Sequence, residues 1–205
     1  MKNKCIFQTA VVVMLMNLSC SALALIIEPD NYSDRTELSQ VSPGVTVSVT
    51  TSDNQIVDIW PVTADVDSMG YAPTGSMVFS HVHIPFWNTD RRLRVDFSAP
   101  VSSISLMAAG TDYFDYACQG WLNVYDSHFN LLDSYQTSPL REYQVETMQI
   151  DRAAGDISYA IAYTTGDNPF GRLDRLEFSV PEPATLSLLM LGFAATLRRP
   201  GRKAN

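Results

Sequence analysis

The stretch Leu93-Arg94-Val95-Asp96-Phe97-Ser98-Ala99-Pro100-Val101 decides the fold class. Leu93, Val95 and Phe97 alternate with Arg94 and Asp96, so an extended chain puts apolar side chains on one face and charges on the other. Ala99-Pro100 then marks a corner, because proline supplies no backbone donor to a ladder. The same period of two recurs along the chain. Val45, Val47 and Val49 show it, as do Met77, Phe79, His81 and His83, then Ile104, Leu106 and Ala108. Leu122 and Val124 stand opposite Trp121, Asn123 and Tyr125. Ile157, Tyr159, Ile161 and Tyr163 form another set, and Leu176, Phe178 and Val180 the last. Turn signals separate the runs: Ser42-Pro43-Gly44, Tyr71-Ala72-Pro73-Thr74-Gly75, Asp126-Ser127, Ala154-Gly155-Asp156 and Gly166-Asp167-Asn168-Pro169. No helical period competes. The pattern predicts an all-β protein, an antiparallel β-sandwich of jelly-roll type with about nine or ten strands. With no internal repeat, a propeller or solenoid is disfavoured.

Both ends of the chain differ from this middle. Lys2 and Lys4 precede an apolar run at 6–18, and Ala22-Leu23-Ala24 is a small-x-small site, so residues 1–24 read as a secretory signal helix cut after Ala24. The sandwich occupies 25–179. The last segment, 180–205, has three parts: Pro181-Glu182-Pro183, an uncharged apolar run at 184–197, and a basic cluster of Arg198, Arg199, Arg202 and Lys203. An uncharged run closed by cations predicts a membrane helix with a cytoplasmic basic end. Its length, roughly 21 Å against a hydrocarbon core of about 30 Å, suits a temporary hold better than a permanent anchor.

Pro181-Glu182-Pro183, the apolar run and the arginines together resemble a PEP-CTERM sorting signal. The resemblance implies export in a Gram-negative bacterium that makes exopolysaccharide, with the secretion machinery and signal peptidase acting first. It further implies recognition of the Pro-Glu-Pro motif by an exosortase, transient anchoring in the membrane, and release to the cell surface or biofilm matrix. Tails of this kind also occur on some ice-binding proteins, so the tail does not name its cargo. Within the middle, 93–101 and the stretch Leu122-Asn123-Val124-Tyr125-Asp126 followed by Asn130-Leu131-Leu132-Asp133-Ser134 resemble jelly-roll ectodomains of secreted bacterial proteins. The second is similar to a hairpin in which glycine stands where this chain has Phe129, so a wider turn is expected. That likeness concerns the fold and carries no activity.

Charge narrows the function. Residues 25–179 hold eight arginines, no lysine and twenty-one carboxylates, a formal charge of −13. Such a domain repels phosphate backbones, which excludes nucleic acid as a partner, and it is suited to divalent cations. Cys118 is the one cysteine left after signal removal and is expected in the core.

Three constellations bear chemistry. Asp112-Tyr113-Phe114-Asp115-Tyr116, leading into Trp121, interleaves rings with carboxylates, a pattern that fits a glycan through ring stacking and hydroxyl hydrogen bonds. Tyr113, Asp112, Asp115, Tyr116 and Trp121 are therefore candidate glycan ligands, with core packing as the alternative. Asp30, Asn31 and Asp34 near one end, with Asp167, Asn168 and Asp174 near the other, offer oxygen ligands for a structural calcium. His81 and His83, two apart on a strand, would share a face and could begin a metal site. Catalysis is not expected. Asp65 with Asp67, or Asp112 with Asp115, are the carboxyl pairs a glycoside hydrolase would need, but no nucleophile elbow or thiol motif accompanies them. Ice binding would want a flat threonine face, which Thr46, Thr50 and Thr51 do not make. The composite expectation is a non-enzymatic exported surface protein, with a carbohydrate-binding module as the alternative and a polysaccharide hydrolase behind it.

Overall fold

The computed structural model describes residues 23–110, 117–166 and 170–180, and Ala24–Val180 form one compact unit. The described strands build three sheets. A five-stranded sheet runs in the order β3 (Val45–Thr50), β6 (Arg92–Val101), β11 (Ile157–Gly166), β8 (Cys118–Tyr125), β9 (Leu131–Gln136). A four-stranded sheet has the order β1 (Leu23–Ile27), β12 (Arg172–Val180), β7 (Ser103–Ala109), β10 (Val145–Asp151). The third sheet is β2 (Thr36–Glu37), β4 (Val62–Val66), β5 (Met77–His81). The defined registers between these strands are antiparallel. The twelve strands exceed the expected number mainly through β1, which begins at Leu23, and β2, which is two residues long.

Alternation explains the core. Val45, Val47 and Val49 on β3, Leu93 and Val95 on β6, and Leu122 and Val124 on β8 are buried. They join one apolar cluster with Ile104, Leu106 and Ala108 of β7, Met148 and Ile150 of β10, and Leu173, Leu176 and Phe178 of β12. Each large side chain removed from water contributes roughly 1.5–3 kcal/mol, so the facing sheets are held chiefly by this layer. Cys118 is buried as expected, its Sγ 3.8 Å from the Ala109 carbonyl oxygen. Trp87 is wholly buried and satisfies its indole by donating from Nε1 to the Phe79 carbonyl at 2.8 Å.

Three local departures place the surface chemistry. First, β6 does not stop at the Ala99-Pro100 corner; it runs on to Val101. Proline is tolerated there because the ladder jumps from Tyr159↔Asp96 to Ile157↔Val101, leaving residues 97–100 without partners on β11. Second, the same irregularity reverses the faces of β11. Ile157 belongs to the core cluster, but beyond the shift Ala160 and Ala162 take the inner positions, and Tyr159, Ile161 and Tyr163 move to the outer face. Third, β5 ends at His81. Val82 and His83 both have positive φ, 50° and 61°, and His81 and Ile84 exchange backbone hydrogen bonds, so the chain reverses in a two-residue turn. That turn breaks the alternation on which a shared face for His81 and His83 depended.

Candidate functional site

The outer face of the five-stranded sheet carries two ladders of flat side chains. In one, Tyr125 of β8 and Tyr159 of β11 face each other as a directly paired couple, rings 4.6 Å apart and 3° from parallel. The spacing matches the separation of neighbouring strands, so the rings stand upright on the sheet with their faces turned to one another. Arg94 closes the β6 side with its guanidinium 4.3 Å from the Tyr159 ring centre. In the other ladder Trp121 and Tyr163 are paired and nearly parallel, 6.3 Å apart at 5°, and Arg92 lies 4.5 Å over Tyr163. Trp121 is half-buried and donates from Nε1 to Thr165 Oγ1 at 2.8 Å, which fixes the indole. Between the ladders the face holds Ile161 and Asn123, directly paired, and Ser134, whose hydroxyl donates to the Asn123 side-chain Oδ1 at 2.6 Å.

The two arginines are not equivalent. Arg94 is held by Asp96 through three short contacts of 2.7–3.1 Å, and this partner raises its already high pKa. Among the described residues Arg92 uses only Nε, donating to the Thr89 carbonyl at 2.8 Å. Burial raises the phenol pKa of Tyr125 and Tyr159, so both stay neutral donors.

Of the sequence-predicted glycan residues, Trp121 falls in this array, while Asp112, Tyr113, Asp115 and Tyr116 lie outside the described residues. The alternation at 157–163 marked a strand without revealing which set faces outward. Tyr159, Tyr163, Arg92 and Arg94 were therefore missed, since only the strand order brings them beside Trp121 and Tyr125.

The metal candidates separate. Glu28, Asp30 and Asp174 each present an oxygen within 4.8 Å of the others, and Glu28 is the member sequence reading passed over. Thr74 binds the group together, donating its backbone N–H to Asp174 at 3.0 Å and sharing its hydroxyl with Asp174 at 2.7 Å and Glu28 at 2.9 Å. Asp30 accepts from the amides of Ser76 and Met77 at 2.9 and 3.2 Å, and its Oδ2 is buried without a partner. Asp174 is fully buried, and desolvation pushes its pKa up to about 7 despite the Thr74 hydrogen bonds, with Glu28 adding like-charge repulsion. Asn31 is exposed and Asp34 instead accepts from the Val66 amide at 3.1 Å. Asp167 and Asn168 lie outside the described residues.

The histidines do not form a pair. His81 is buried between Trp60 and Trp87, ring centres 6.0 and 5.0 Å away, and burial followed by the nearby Arg91 lowers its pKa to about 4. His83 sits in the turn, half-exposed, with Nδ1 3.0 Å from Asp65. The carboxyl pair Asp65 and Asp67 is engaged in structure. Burial alone would raise the Asp65 pKa, but hydrogen bonds from Ser80, Thr63 and His83 outweigh it and lower it. Asp67 is buried against Arg172.

Residues 179–203 match the PEP-CTERM protein-sorting motif, which implies export and exosortase processing. Pro181, Glu182, Pro183 and the basic cluster lie outside the described residues, as does Ala22, whereas Ala24 belongs to β1. No helix among the described residues is long and apolar enough to cross a membrane, and the apolar run at 184–197 is not among them. No curated protein matches the chain in sequence. Among solved structures, a cleaved adhesin domain of Lys-gingipain is similar at 14% identity, covering 77% of this chain and 100% of its own, with a TM-score of 0.49. A xylan-binding domain from Paenibacillus barcinonensis is similar at 10% identity, covering 80% and 99%, with a TM-score of 0.43. A carbohydrate-binding module solved with β-1,4-galactotriose is similar at 15% identity, covering 70% and 92%, with a TM-score of 0.41. These are likenesses of fold.

Proposed function

We propose that the chain is an exported, non-catalytic polysaccharide-binding protein, held briefly in the membrane by its C-terminal segment and released to the cell surface or the exopolysaccharide matrix. The domain limits that go with this reading are a signal at 1–24, a sandwich at 25–179 and a sorting segment from 180. The observation that carries the binding role is the pair of arginine–tyrosine–aromatic ladders on one sheet face. Tyr159 and Ile161 are themselves buried within the array, so the accessible groups are the half-buried ones around them, Trp121, Asn123, Tyr125, Tyr163, Arg92 and Arg94, held in place by their neighbours with little entropy left to lose on binding. Binding is favoured over catalysis because Asp65 and Asp67, the described carboxyl pair, are committed to Ser80, Thr63, His83 and Arg172.

Affinity electrophoresis through gels containing polysaccharide from the producing organism tests it. Trp121→Ala removes the outer ring of one ladder and is expected to weaken retardation roughly tenfold or more, about 1.4 kcal/mol or above. Wild-type migration unaffected by any polysaccharide would refute the reading.

A second reading concerns stability: Glu28, Asp30 and Asp174 hold a divalent cation, calcium by their all-oxygen character. The buried, partnerless Asp30 oxygen favours it. Without a cation, a carboxyl whose folded pKa is raised contributes stability that is complete below its unfolded value of 3.8 and is lost as pH rises through about 7. A cation replaces the proton. Added calcium is therefore expected to raise Tm most above pH 7, and Asp174→Asn is expected to abolish the increment. Identical melting in calcium and in chelator above pH 7 would rule the site out.

A further inference from the structure

We infer that the ligand strip ends on Phe129 and takes an acidic polysaccharide, a uronate-bearing chain whose sugar rings lie on Phe129 and whose carboxylates meet Arg92; this rests on the glycan-binding reading above. The β8–β9 turn is built by Asp126. Its Oδ1 accepts from the amides of His128 and Asn130 at 2.8 and 2.9 Å, and its Oδ2 from the Asn130 side chain at 2.8 Å. The backbone closes through Asp126 N–H to the Asn130 carbonyl at 3.1 Å and Phe129 N–H to the Asp126 carbonyl at 3.2 Å. This leaves residue 129 in the left-handed region at φ 66°, where glycine is at ease and a bulky side chain is strained. The chain nevertheless has phenylalanine there, 71% exposed. Its ring meets Tyr159 at 5.9 Å and 57°, so the contact is tilted and the ring is not sandwiched. Backbone conformation and burial both argue against this residue, and an uncovered ring beside the Tyr125–Tyr159 ladder is what a sugar face needs.

Charge selects the sugar. The −13 of residues 25–179 repels a polyanion at long range, as it does a phosphate backbone, so a carboxylate is accepted only where the local charge is positive: no described carboxylate pairs with Arg92, while its neighbour Arg94 is neutralised by Asp96. The Arg92 guanidinium lies over the Tyr163 ring, and its terminal nitrogens, which make no hydrogen bond among the described residues, can meet a carboxylate as a planar fork. Tyr159 and Tyr163 are four residues apart on β11, so the two ladders lie about 13 Å apart, a span for two or three sugars. Asp126, which builds the turn at the Phe129 end, places the carboxylate preference at the Arg92 end.

The test is affinity electrophoresis of the full chain through polygalacturonate and through hydroxyethylcellulose, with melting curves for each variant. Wild type is expected to be retarded by polygalacturonate. Phe129→Gly is expected to lose at least tenfold in affinity while its Tm stays level or rises, a combination that a purely structural ring would not give. Arg92→Gln is expected to lose retardation by polygalacturonate. Undiminished retardation of either variant overturns the role of that residue. Retardation of wild type by hydroxyethylcellulose as strong as by polygalacturonate overturns the acidic preference and leaves glycan binding standing. No retardation by either polymer overturns both.

Discussion

Asp67→Ala is expected to destabilise the sandwich by about 3–5 kcal/mol, a large part of the whole stability of a domain this size. Asp67 follows β4 of the three-stranded sheet, and Arg172 opens β12 of the four-stranded sheet. Arg172 donates to both carboxylate oxygens, from Nε at 3.0 Å and Nη2 at 3.2 Å, and their side chains are 5% and 0% exposed. The same carboxylate accepts from the amides of Met69 and Tyr71 at 3.1 and 3.0 Å. One side chain thus joins two sheets and shapes the loop after β4. Removing it strands a buried guanidinium, which keeps only the Phe170 carbonyl at 2.7 Å as a strong partner, and also strips acceptors from two amides. Urea unfolding should show a lower midpoint at unchanged slope. Arg172→Met leaves the carboxylate in place with its two backbone donors, so it should cost less. The double variant should lose less than the sum of the singles, because each single change leaves its partner's charge unmatched. A loss below about 1 kcal/mol for Asp67→Ala would mean the pair contributes little beyond what hydrophobic packing already provides.

That pair also marks where sequence reading ends. Alternation at 93–97 and 122–124 assigned inside and outside correctly, because burying one face of a sheet writes a period of two into the chain. At 157–163 the same reasoning put Ile157, Tyr159, Ile161 and Tyr163 on one face, but only Ile157 joins the core. A register shift between Ile157 and Tyr159 exchanges the faces, and nothing local in Ile-Ser-Tyr signals it. His81 and His83 were misread for a related cause: the two-residue turn at Val82-His83 has neither asparagine nor glycine to announce it. The pairing of Asp67 with Arg172 was invisible, because only the fold brings the end of β4 against the start of β12. The regrouping of Asp30 with Asp174 was anticipated from the closeness of sandwich ends, whereas Glu28 gave no sign beyond its charge. Phe129 did give a sign. It stands where the resembling hairpin has glycine, from which a wider turn was expected; instead it takes the left-handed backbone that glycine adopts without strain, φ 66°.

Replacing Pro181-Glu182-Pro183 by three alanines is expected to abolish surface release while leaving the sandwich as stable as before. β12 ends at Val180, which is half-buried and packs on the core, and its pairing with β7 extends to Ser179↔Ser103. A proline next in line cannot donate a ladder hydrogen bond, and a second proline two residues later restricts the residue between them, so the strand is closed off at the point where the motif begins. The motif is therefore separable from the fold. A cut on its N-terminal side, inside β12, would remove Val180 or Phe178 from the core; a cut at or beyond the motif leaves the strand whole. Fractionation with a tag placed before β2 should show wild type shortened and released, and the trialanine variant full-length and retained with membranes. Melting of the two proteins should coincide. Release of the variant at the wild-type rate would show that the apolar run and the arginines suffice for sorting. A lowered Tm would show instead that the prolines also support β12, and retention would then report on folding as well as on recognition.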